Sequence, residues 1–227
     1  IDEAIRINKR AFKEGILLSP FQLAASTISR LKSQRFWTVE ETTFSQELDQ
    51  LIRNIQTEIS GVEWKPELLP HFSREDEYNM QNGSADILPL MLDGEPSDSC
   101  KDSWGTSSLH EKLCKILDDF KPLKKCRVCD AMLIKLSPAS KYWPRSSVTN
   151  FRLRNLLTLD GLTPLQVEMI DESGNQSRET TNKSWLVIDD SFLHSILNPS
   201  QESAYGIMVD VWHPDLGSEE RESIGRM

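Results

Sequence analysis

The sequence predicts an α+β fold in which packed N-terminal helices precede an antiparallel sandwich or barrel. Apolar stripes at helical spacing occupy 44–59 and 109–120, and short β-type segments divided by turn residues fill the stretch after Pro122. At 227 residues the chain can bury a sizeable core, as one large domain with an extension or as two small domains.

The elements follow in order. Ala4, Ile5, Ile7, Ala11 and Phe12 stand among charged residues before Gly15, which is helix periodicity followed by a C-cap. Ser19-Pro20 opens a second helical stretch through Phe21, Leu23 and Ala24, with proline at the tolerated first position. The pair reads as a helical linker or as the last helices of a repeat array. Thr38 and Glu41 have capping-box spacing, and Phe44, Leu48, Leu51, Ile52, Ile55 and Ile59 form one helical stripe ending at Gly61. From Val62 to Thr106 the text is polar and proline-broken, with an acidic cluster at Glu75, Asp76 and Glu77, which predicts long surface loops. Ser108 and Glu111 repeat the capping-box spacing beside Leu109, Leu113, Ile116, Leu117 and Phe120, until Pro122 stops the helix. Strands are then expected at 131–136, 151–159, 165–170, 185–188 and 205–212, separated by Ser137-Pro138, Asp160-Gly161, Ser173-Gly174-Asn175 and Asn198-Pro199-Ser200.

Charge narrows the function classes. Lys+Arg number 26 against 35 Asp+Glu, a formal net charge of −9, and no basic block offsets it locally. That argues against nucleic acid and anionic membrane as main partners. Apolar runs such as 15–18 and 131–134 are far below the ~18 residues that span a bilayer, so no membrane segment is expected in this chain. The chain starts at Ile1 without a charged-then-apolar leader and reads as a processed product or a fragment. Its cysteines, Cys100, Cys114, Cys126 and Cys129, are too few for a disulfide scaffold at this length. Only Cys126 and Cys129 have C-x-x-C spacing, and the reading is two unlinked thiols. Neither His71 nor His110 has zinc-ligand spacing to them.

Ordered motifs in the second half are more specific. Ser137-Pro138-Ala139 with Tyr142-Trp143-Pro144 comes first, followed by Thr149-Asn150-Phe151-Arg152-Leu153-Arg154. Asp189-Asp190-Ser191-Phe192-Leu193-His194 is next, and Val209-Asp210-Val211-Trp212-His213-Pro214-Asp215-Leu216 closes the series. In this order they resemble the aspartyl/asparaginyl β-hydroxylase family, and Phe36-Trp37-Thr38-Val39-Glu40-Glu41-Thr42 resembles the opening of its oxygenase domain. The resemblance implies a distorted double-stranded β-helix of the jelly-roll or cupin-like kind over 36–227, with 1–35 as a helical extension or the end of a helical-repeat region. It also implies Fe(II) and 2-oxoglutarate as cofactors, hydroxylation of Asp or Asn in epidermal-growth-factor-like (EGF-like) domain peptides, and the lumenal side of the endoplasmic reticulum.

Residue by residue, the resemblance places the distal iron-binding histidine at His194 and the proximal one at Arg145. Arginine has no lone pair to donate, and its charge opposes a dication. The family's co-substrate arginine falls at Ala204, its serine at Ile134 and its histidine at Leu156, so of that cradle only Arg154 remains to hold 2-oxoglutarate. A cysteine partner expected a few residues after Cys100 falls at Ser107. The expectation is a family scaffold with lost or impaired catalysis, the alternative being an active hydroxylase with an atypical metal site. His194 reads either as a ligand or as an ordinary buried histidine. Arg152 and Arg154 share a strand face, where they bind a carboxylate or pair with acidic residues. Asp189 and Asp190 are expected to satisfy turn N–H groups, and Trp212 and His213 to cap the last strand.

Overall fold

The computed structural model of the chain describes residues 13, 24–60, 73–74, 77–102, 109–124, 126–159, 163–170 and 175–226. The first expected helix, His71 and the Asp160-Gly161 and Ser173-Gly174 turns lie outside the described residues, Lys13 apart.

Two antiparallel sheets form a distorted double-stranded β-helix, so the fold is α+β as expected. The larger sheet runs β1 (Phe36–Trp37), β11 (Leu186–Ile188), β8 (Arg152–Thr158), β13 (Ala204–Trp212), β6 (Ala131–Leu136), β4 (Ala85–Leu92) and β2 (Ser73–Arg74), with β5 (Glu95–Pro96) paired to β4. The smaller runs β10 (Gln176–Glu179), β9 (Gln166–Met169), β12 (His194–Asn198), β7 (Ser140–Tyr142) and β3 (Met80–Asn82). The helices are α1 (Ser45–Ile59), α2 (Asp98–Asp102), α3 (Leu109–Asp118) and α4 (Ser218–Ile224).

Period-two alternation gives the larger sheet two jobs. In β13, Ile207, Val209 and Val211 face the helices, while Ala204 and Met208 face the interior between the sheets. The helix-side core takes Leu48, Leu51, Ile52, Ile55 and Ile59 from α1 and Leu109, Leu113 and Leu117 from α3, both stripes as expected. Each such side chain contributes about 1.5–3 kcal/mol on burial.

Four expectations change. The capping box at Thr38 and Glu41 closes a single 3₁₀ turn over Val39–Glu41, and α1 starts only at Ser45. Of the second helical stretch, 19–23 lie outside the described residues and its last residue, Ala24, is not helical; the chain is then extended and turned, with Ser26 bridging Thr149 and the Asn150 side chain holding the backbone of Ile28. Within the region read as surface loops, β4 is a central strand between β2 and β6. Pro89 disguised it, and the pairing tolerates that proline because the register shifts between Pro89 and Met91. Finally, the cysteines are linked, Cys100 to Cys114 and Cys126 to Cys129. The fold brings their Cα atoms to 5.6 and 5.2 Å, within bonding range, which spacing along the chain does not reveal for the first pair.

Candidate active site

His194 begins β12 and sits opposite Arg145. Each donates its backbone N–H to the other's carbonyl at 2.9 Å, a directly opposed antiparallel pair whose side chains leave the same face. The two positions that the family resemblance assigns to iron are thus cross-strand neighbours. The Arg145 guanidinium lies over the Tyr142 ring, 4.0 Å from its centre.

His194 is buried, and its Nδ1–H donates to the Phe192 carbonyl at 2.8 Å. That bond leaves Nε2 as the lone-pair nitrogen, buried and without a hydrogen-bond partner among the described residues. Burial pulls the imidazole pKa down to about 4; Asp190 and the Phe192 bond oppose this, and Arg145 and Arg154 add to it. The ring is neutral at pH 7.

Beside this pair is a closed ion network. Arg154 on β8 stands opposite Asp210 on β13, donating from Nε to Oδ1 at 2.8 Å and from Nη2 to Oδ2 at 2.9 Å, with Nη1 3.3 Å from Asp190. Arg152 shares the face and reaches Asp210 at 2.8 Å and both Asp190 and Asp130 at 3.4 Å. Burial alone would raise the Asp210 pKa, but Arg152 and Arg154 outweigh it and hold the carboxyl below its ordinary value. Burial likewise opposes the charge on Arg154, and Asp210 and Asp190 overcome it. All three nitrogen–oxygen contacts that the Arg154 fork makes with Asp210 and Asp190 are charge-assisted.

Further along the same inner face the lining becomes apolar. Ile134, Leu156 and Ala204, at the three positions that the resemblance assigns to the co-substrate, are fully buried and pack in one cluster with Tyr142, Leu165, Val167 and Ile196. Gly206 on β13 admits Leu165, whose Cδ1 would stand 2.5 Å from a Cβ there.

The remaining motif residues are mostly structural. Asp189 accepts the Ser191 N–H at 3.0 Å and the Ser191 hydroxyl, so it holds the turn as expected. Burial pushes its pKa up to about 7, against the Ser191 bonds and with the help of Asp190. Asp190 instead serves the two arginines. His213 donates from Nε2 to the Lys32 carbonyl at 3.0 Å and accepts the Asp215 N–H at Nδ1, and its edge meets Trp37 at 5.1 Å between ring centres. It ties the last strand to the incoming chain. Sequence reasoning missed Asp210 as the partner of Arg154 and Tyr142 as the ring under Arg145. The signal for the first was present, since Arg-x-Arg and Val-Asp-Val-Trp both alternate with period two.

The two antiparallel sheets and their register define a double-stranded β-helix scaffold. The chain belongs to the aspartyl/asparaginyl β-hydroxylase family, whose model matches residues 49–214. Aspartyl/asparaginyl β-hydroxylase of Mus musculus is 29% identical over 226 residues, covering 98% of this chain and 29% of the relative. That of Homo sapiens is 28% identical over 232 residues, covering 98% and 28%. The chain therefore spans under a third of the length of these curated relatives. A solved structure described as a predicted oxalate decarboxylase from Thermotoga maritima aligns over 63% of this chain and 96% of its own, at 13% identity and a TM-score of 0.37.

Proposed function

We propose that this chain is an aspartyl/asparaginyl β-hydroxylase-like domain that keeps the family scaffold while its Fe(II)- and 2-oxoglutarate-dependent reaction is lost or impaired. The observation that carries the reading is the Arg145–His194 pair. It offers a ferrous ion one imidazole lone pair, at His194 Nε2, and a guanidinium where the second imidazole would be. The donor set does not fit the metal. For the co-substrate, Ile134, Leu156 and Ala204 supply no charge-assisted bond to a buried carboxylate, and the Arg154 fork is already engaged by Asp210 and Asp190. A 2-oxoglutarate carboxylate at Arg154 would compete with both.

The retained role is binding of an acidic peptide of the EGF-like class. Supporting it, Arg35 and Arg178 flank a cleft of about 410 Å³ beside Phe192, whose carbonyl fixes the His194 ring. The domain assignment belongs to this reading too, with 1–35 as a helical extension or the end of a repeat region and 36–227 as the oxygenase-like domain. Leu31 is buried in the helix-side core and fastens the extension to the body. Placement on the lumenal side of the endoplasmic reticulum is supported by the two disulfides, which persist in oxidising compartments.

The alternative, an active hydroxylase with an atypical metal site, is favoured by one observation, the free lone pair on His194 Nε2. Mass spectrometry of an EGF-like peptide incubated with the chain, Fe(II), 2-oxoglutarate and O₂ separates the two. The proposal expects no added oxygen atom, and stoichiometric hydroxylation overturns it. Peptide binding is checked by calorimetry, where Arg35→Glu with Arg178→Glu is expected to weaken association.

A further inference from the structure

On the opposite side of the larger sheet, Cys100 in α2 and His110 and Cys114 in α3 converge. One ligand atom from each lies within 4.8 Å of the others, and all three residues are buried. His110 and Cys114 are four residues apart on one helix, so they share a face by construction. Cys100 is brought to them by α2, whose first turn is tied to β4 through the Ser97 and Ser99 hydroxyls on the Pro89 carbonyl. The Ser99 hydroxyl also approaches His110 Nε2 at 3.5 Å. Sequence spacing alone gave His110 no zinc-type arrangement; the third ligand arrives from a separate helix.

We propose that reduction of the Cys100–Cys114 disulfide turns this corner into a Cys₂His site for a thiophilic divalent cation of the zinc type. The step balances as a thiol–disulfide exchange: a dithiol reductant supplies two electrons and two protons, the S–S bond breaks, and the reductant becomes a disulfide. The cation then displaces the two thiol protons and takes the lone pair of the His110 imidazole. Two thiolates and an imidazole are the soft and borderline donors that select zinc over magnesium or calcium, and with three protein ligands one position stays open. Metal and disulfide are mutually exclusive occupants of one buried corner. This inference is independent of the reading of the candidate active site.

The test is cobalt titration of the whole chain, oxidised and after phosphine reduction, followed by zinc displacement. The reduced chain is expected to show sulfur-to-cobalt charge-transfer absorption that zinc abolishes, and the oxidised chain none. Cys100→Ser should remove the signal. Since losing even an outer-shell partner of a metal costs about tenfold in affinity, His110→Ala should weaken binding by at least about tenfold. Cys126→Ser with Cys129→Ser, and separately His194→Ala, should leave the signal in place. Absence of the band in the reduced chain, its survival in Cys100→Ser, or its loss only in the Cys126/Cys129 variant overturns the proposal. Should reduction unfold the chain, recovery of near-ultraviolet circular dichroism on adding zinc supports the site, and failure to recover overturns it.

Discussion

The Arg152–Arg154–Asp190–Asp210 network and the Arg145–His194 corner are adjacent on the interior of one β-helix, and both are built from family motif residues. In the first, Arg154 meets Asp210 in register across β8 and β13, and Arg152, in register with Trp212, reaches the same carboxylate diagonally. In the second, an arginine stands opposite a histidine whose imidazole lone pair has no hydrogen-bond partner among the described residues. The same barrel thus holds a buried ion-pair network beside an arginine–histidine pair whose imidazole bonds the Phe192 carbonyl.

The largest effect is expected in the ion-pair network. Asp210→Ala takes from the buried Arg154 its bidentate partner and from the half-buried Arg152 its nearest carboxylate, leaving Asp190 to both, and should cost about 3–5 kcal/mol, read from urea unfolding. A loss below about 1 kcal/mol would mean that the network is solvated and contributes little to the fold. In the apolar stretch of the same inner face, Leu156→Ala should cost about 2–5 kcal/mol, because the side chain is fully buried. A neutral result there would point to an open pocket around that position. Gly83 sits at φ +71°, and a Cβ there would fall 2.4 Å from that of Ser140. Gly83→Ala should therefore cost about 1–3 kcal/mol without touching either region.

A smaller, pH-dependent effect distinguishes the groups around the corner. Asp189 has its folded pKa raised to about 7, so the folded state binds more protons and stability falls as pH rises from the ordinary carboxyl range to about 7. His194 has its folded pKa lowered to about 4, so its contribution rises with pH from about 4 to its ordinary 6.5. The two slopes oppose each other in the shared window, and the wild-type curve should be shallow. Asp189→Asn should leave the histidine slope exposed, with stability declining on acidification below pH 6.5 by up to about 1.4 kcal/mol per unit. Unfolding midpoints from pH 4 to 8 check this, and identical profiles for the two proteins would refute the buried, neutral Asp189.

Much of this contrast was legible in the sequence, because motifs carry residue identity at fixed spacing. Arg145 beside Trp143-Pro144, Ala204, Ile134 and Leu156 could all be read as departures before any fold was known, and β6, β8, β9, β11 and β13 were legible as short β-type segments between turn residues. What stayed hidden depends on long-range contact. Pro89 masked β4, whose pairing survives through a bulge. β10 is exposed at every residue and so lacks an alternating signature, while β12 is buried at nearly every position and lacks one for the opposite reason. The Cys100–Cys114 link and the convergence of His110 on it arise where two helices meet over the sheet, and neither helix announces the other.

The most direct check is anaerobic Fe(II) titration in the presence of 2-oxoglutarate, comparing the wild-type chain with Arg145→His. The wild type should develop no metal-to-ligand charge-transfer absorption, and the histidine variant should gain measurable metal affinity, with turnover further requiring Ala204→Arg. A charge-transfer band in the wild type at stoichiometric iron would mean that another side chain completes the metal site, and that a guanidinium opposite His194 does not abolish it.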